Sequence, residues 1–207
     1  IANSGLTGRR SSPMPAVTAR AAALAVSLNR ARTPAPCEMG VTDMLVRYCK
    51  MVMVLGLSLF AFLVTFNNLT DYNSNFEFVK HVLSMDTTFE GNAAMWRAIT
   101  VPWIWHAGYW GIIAGEGITF LLLLIGALRM FAARDEDADA FQSAKTYVVL
   151  GATVGFLVWF VGFMAVGGEW FLMWQSDTWN GQQAAFRFYM SILAVLIFVM
   201  MRDEDIV

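Results

Sequence analysis

Apolar residues in this chain are grouped into four long blocks separated by polar stretches, with no alternation of period two or 3.6 inside the blocks. The first block runs over about 44–66, with MVMVLGLSLFAFLVTF at its centre, and the second over about 102–131, including WGIIAGEGITFLLLLIGALRMF. The third covers about 146–170 and the fourth about 183–201. A helix needs about 20 consecutive apolar residues to cross the hydrocarbon of a bilayer, and a run apolar on all sides suits lipid better than a soluble core. The length of the second block predicts tilt or an interfacial first turn. The pattern therefore predicts an all-α fold, an integral membrane four-helix bundle.

Composition agrees with lipid as solvent. Hydrophobic residues make up 57% of the 207 positions and charged residues 14%, against roughly 25% charged in soluble domains. A net charge of -2 excludes a nucleic-acid partner as an expectation. Cys37 and Cys49 have no CxxC companion and no histidine at ligand spacing, so both read as free thiols. Residues 1–37 carry Arg9, Arg10, Arg20, Arg30 and Arg32 with no Asp or Glu, amid many Ser, Thr and Ala, which is the composition of an organellar transit segment. The chain thus divides into a basic, transit-like or extended segment over 1–40 and a four-span domain over 41–207. A polar segment without a core of its own is ordered only against something else, which points to a subunit held in a larger assembly.

Basic residues predict the orientation. Arg47, Lys50, Arg129, Arg134, Lys145 and Arg202 fall on one side of the spans, against Lys80, Arg97 and Arg187 on the other. Both termini are therefore expected in the matrix of a mitochondrion, or in the equivalent compartment of a plastid. The acidic run from Arg134 to Asp139 reads as a solvated connector on that side. On the opposite side, two polar connections, 67–101 and about 171–182, are expected to form a loop cap, and seven of the eight tryptophans border them. An aromatic belt accounts for most of these; a packed cap would account for the excess.

The string NNLTDYNSNFEFVKHVLSMD at 67–86, then Met95-Trp-Arg-Ala-Ile99 and a span carrying Glu116, resembles the bacterial-type "predicted small integral membrane protein" family known as domain of unknown function 2165. The resemblance covers about Val41 to Met201 and implies four spans with an Asn-rich loop after the first. It implies nothing about chemistry.

Three residues stand out as candidate cofactor-binding groups: His81, His106 and Glu116. Two imidazoles at one level of a bundle are the pattern of axial haem ligands, while the bland alternative bonds each to Asp86, Asp71 or a tryptophan-lined surface. Glu116 lies between Gly115 and Gly117 in the second span. An ionisable group at that depth faces protein, is paired, or is protonated, with Ser58, Thr65, Tyr109 or Thr153 as expected partners; its functional reading is proton relay or quinone contact. Gly151, Gly155 and Gly162 are expected on one close-packing helix face. Asp71 or Asn73 is expected to cap a short amphipathic helix through Phe76, Phe78, Val79 and Leu83. No phosphate loop, HExxH, GxSxG or CxxCH occurs, and a lone intramembrane charge makes a poor transporter.

The expectation from sequence is a non-catalytic accessory subunit of an organellar energy-transducing complex, in the mitochondrial respiratory chain, with other subunits and bound phospholipid as its partners. The alternative is a small membrane redox protein holding haem or quinone through His81, His106 and Glu116. No metal site and no catalytic set is expected.

Overall fold

A computed structural model of the chain describes residues 36–205, with side chains from residue 40 onward. Residues 1–35 of the transit-like segment and the Cys37 thiol lie outside that description. Among the described residues there are helices and connections and no strand. Helix α1 spans Pro36–Thr70, α2 Tyr72–Ser84, α3 Pro102–Ala132, α4 Ala138–Ala144, α5 Thr146–Phe156 and α6 Gln182–Met200. Between α5 and α6 the helix widens into a π-helical segment, Leu157–Trp170. Four stretches are long and apolar enough to cross a membrane: Gly40–Thr70, Pro102–Ala132, Ala138–Trp170 and Gln182–Met200. The fold is thus an integral membrane bundle of four spans.

Local sequence sets several boundaries. Pro102 occupies the first turn of α3, where its missing N–H costs nothing. Asp137 caps α4 by accepting from the Ala140 N–H at 2.7 Å. The helix expected after Asp71 is present as α2, but the Asp71 carboxylate accepts from the Ser74 hydroxyl (2.7 Å) rather than from a backbone N–H. Only Asp71 separates α1 from α2, so most of the Asn-rich string is helical. Asn67 and Asn68 complete α1 instead of forming a loop.

Within lipid the bundle gains little from hiding apolar surface, so close packing and interhelical hydrogen bonds must hold it together. Glycines supply the closeness. A Cβ at Gly126 would come within 2.8 Å of the Val148 backbone nitrogen, and one at Gly151 within 3.1 Å of the Leu123 backbone nitrogen. These contacts seat α3 against α5. Gly155 meets Ile192 and Thr119, whereas Gly162, expected on the same stripe, lies in the π-helical segment and faces a cavity instead. The widened turns move it off the face that a regular helix would give it.

The bundle has two ends: proximal, where α1 and α3 meet the α4 corner and the residues after α6, and distal, where α2 and the 171–181 connection lie. At the proximal end Met51, Val54, Leu123, Met130, Phe141 and Val199 form the core. Beneath them sit three buried cations. Arg47 donates to the carbonyls of Arg134 (2.8 Å), Glu136 (2.6 Å) and Glu204 (3.1 Å). Lys50 bonds the Met201 carbonyl and, at 2.9 Å, the Asp203 carboxylate, whose other oxygen pairs with Lys145. Both lysine side chains are 1% exposed. Three of the six residues read as orientation markers, Arg47, Lys50 and Lys145, therefore clamp the chain after α6 onto α1 and the α4 corner, and the acidic run contributes the Glu136 carbonyl and the Asp137 cap.

Distally, the two connections bond to each other. Thr87 donates to Ser176, Asn92 and the Phe89 N–H share the Gln175 side-chain oxygen, and Arg97 donates to the Trp170 carbonyl. Trp96, Trp103, Trp110, Trp170 and Trp174 are nevertheless exposed. Five outward indoles make a belt, and only Trp105 and Trp179 of the distal seven are partly covered.

Candidate functional site

The buried polar centre of the spans is built from three helices. Glu116, on α3, is 2% exposed and accepts a hydrogen bond from Asn68 Nδ2 at 2.7 Å. Asn68, on the last turn of α1, accepts in turn from Asn75 Nδ2 of α2 at 2.6 Å. Its backbone carbonyl takes the Tyr109 hydroxyl at 3.2 Å. With its oxygen committed to Asn75, the Asn68 amide can present only its NH2 group to the carboxyl, which fixes the sense of the chain.

These groups line one wall of a cavity of about 340 Å³. The lining also includes Trp159 and Phe163 of the π-helical segment and Ala185 and Phe188 of α6. Asn67 and Asn75 are exposed and stand at its mouth, with Glu116 and Trp159 deep inside. A second chamber, about 180 Å³ and almost wholly apolar, shares the walls Phe78, Val79, Ile112 and Phe163 and runs on to Phe171 and Met173. A 14-residue π-helical run is uncommon, and such turns gather at functional sites; here the run forms walls of both chambers.

The two imidazoles sit in different settings. The His81 ring stacks on Trp179 at 4.7 Å, and its Nδ1 meets Asp86 at 2.8 Å. The His106 ring stacks on Phe76 at 4.1 Å, and its Nδ1 meets the Tyr72 hydroxyl at 2.9 Å. Desolvation raises the Tyr72 phenol above its ordinary pKa. Their ring contacts have no neighbour in common, and neither histidine lines the cavity that Glu116 lines. No group of three or more potential metal ligands is found among the described residues.

The partners expected for Glu116 are otherwise engaged. Ser58 donates to the Phe120 carbonyl, Thr65 to Ala61, Thr153 to Val149, and Tyr109 to Asn68. Asn68 was the residue the sequence reading missed. The available signal was its register: Ala61 and Asn68 are seven residues apart, on the buried face of α1 that also carries Val54.

Comparison with known proteins gives one family: that described as "Predicted small integral membrane protein (DUF2165)" matches residues 46–202. No curated protein and no solved structure matches the chain.

Proposed function

The chain belongs to the DUF2165 family of predicted small integral membrane proteins, and on that premise we propose that it serves as a non-catalytic accessory subunit of an energy-transducing complex in an organellar membrane, the mitochondrial inner membrane. The observation that carries this reading is the length of the apolar face on α1. Val41, Leu45, Tyr48, Val52, Leu55 and Leu59 are all exposed, in alternating steps of four and three, and the stripe continues to Leu69. At a rise of about 1.5 Å per residue, Lys50 to Leu69 already covers about 28 Å, close to the hydrocarbon thickness of about 30 Å.

Val41 and Leu45 therefore project past the buried cluster of Arg47, Lys50 and Asp203, into the proximal interface. Val41 is 70% exposed and Leu45 60%. Water does not favour such a face, and a neighbouring subunit covers it well. The acid-free, arginine-bearing composition of residues 1–37 supports an organellar location, and the excess of proximal cations supports placing that end in the matrix. The exposed tryptophans suit a belt of bound phospholipid. The redox alternative asks for a centre shared by His81, His106 and Glu116, and no specific contact favours it.

The test is native electrophoresis of organellar membranes solubilised in mild detergent. The chain is expected to migrate with a respiratory complex at fixed stoichiometry, and Leu45→Glu to release it while the purified variant keeps its helical content. Migration of the wild-type chain alone overturns the proposal.

A further inference from the structure

The Glu116 cavity has a recognition chemistry of its own. Glu116 is its only acidic lining residue, and the lining includes no Lys, Arg or His. Among the described residues no cationic side chain pairs with it; its one hydrogen bond comes from the neutral Asn68 amide. A carboxyl at such depth requires a proton or a positive charge beside it. The surrounding walls are aromatic, from Trp159, Phe163, Phe188, Phe78 and Tyr109, and ring faces attract cations, most strongly where water is excluded. An anion would find no positive group here.

Size and approach agree. A cavity of about 150 Å³ admits benzene, so the observed 340 Å³ admits one ring with a compact charged head, and the adjoining apolar chamber takes an alkyl extension. At the distal end Asp71, Glu77, Asp86, Glu90, Glu169 and Asp177 outnumber Lys80, Arg97 and Arg187, which raises the local concentration of cations at the mouth.

We propose that this cavity binds a lipophilic monovalent cation, an aromatic amine or quaternary ammonium of one-ring size, with Glu116 as its counter-charge and the Trp159, Phe163 and Phe188 rings as its walls. The site goes beyond the accessory-subunit reading and does not depend on it, because binding is measured on the isolated full chain.

The experiment is equilibrium binding of radiolabelled benzyltrimethylammonium to the full chain in nanodiscs, with neopentylbenzene, its neutral isostere, as competitor. Saturable binding at one site per chain is expected, with neopentylbenzene competing at least tenfold more weakly than unlabelled cation and Glu116→Gln binding at least tenfold more weakly than wild type. Circular dichroism establishes that the variant is folded, and the comparison of cation with isostere needs no variant. Absence of saturable binding overturns the proposal. So does equal competition by neopentylbenzene, which would show an apolar hole only, or tighter binding of a short-chain neutral quinone than of the cation.

Discussion

Replacing Asp203 by Asn tests how the proximal end is held. Among the described residues Asp203 is the only carboxylate that pairs with Lys50 and Lys145, and both lysine side chains are 1% exposed. Asn keeps the size and one acceptor but removes the charge, which strands two buried ammonium groups close to Arg47. Removing one member of a buried ion pair costs about 3–5 kcal/mol. At about 2–4 °C per kcal/mol for a chain of this size, the melting temperature should fall by about 6–20 °C. The assay is thermal unfolding in detergent followed by circular dichroism, with Lys50→Met and Lys145→Met added to Asp203→Asn as the compensating variant. That triple variant should regain most of the loss, because it removes the stranded charges while giving up their bonds to the Met201 carbonyl and Gln142. A fall under about 2 °C for Asp203→Asn, or no recovery in the triple variant, would refute the clamp.

Three further outcomes follow from the packing and the polar centre. Asn68→Leu should lower stability by about 1.5–3 kcal/mol, since Glu116 and Asn75 both lose their partner; an unchanged denaturation midpoint would show that Asn68 does not hold Glu116. Gly126→Ala should cost about 1–3 kcal/mol through overpacking against backbone, whereas Gly56→Ala, with nothing within 4 Å, should be neutral or stabilising by up to about 1 kcal/mol. Equal effects at the two glycines, read from thermal melts, would contradict the account of α3 on α5. Gly91 has φ of +73°, so Gly91→Val should destabilise the distal connection by about 1–2 kcal/mol, and unchanged proteolysis of that connection would argue against it.

The spans were legible because uninterrupted apolar runs of about 20 residues have one stable arrangement in lipid. Glu116 stood out for the same reason, as the costliest residue in such a run. Its partner did not stand out, because Asn67 and Asn68 carry a strong local preference for turns and caps. The tertiary bonds of Asn68 to Glu116 and Asn75 override that preference and draw α1 on by one more turn. The proximal clamp was hidden by distance along the chain: Lys50 and Asp203 are 153 residues apart, and a lysine near the start of an apolar run reads equally well as a topology signal. Nothing in the 157–170 stretch signals π-helical winding, since its glycines and aromatics suit an ordinary packed helix. The sequence places both histidines at one level of the bundle, but which ring each stacks upon depends on α2 folding back along α3.

The central proposal, that this membrane bundle is covered by a neighbouring subunit along α1, is tested most directly by photocrosslinking in intact organellar membranes. A photoreactive residue placed at Leu45 is compared with one at Leu128 of α3, which is also exposed. The account predicts one protein adduct of defined mass from position 45, belonging to a respiratory complex, and lipid adducts from position 128. Lipid adducts alone from both positions would contradict it.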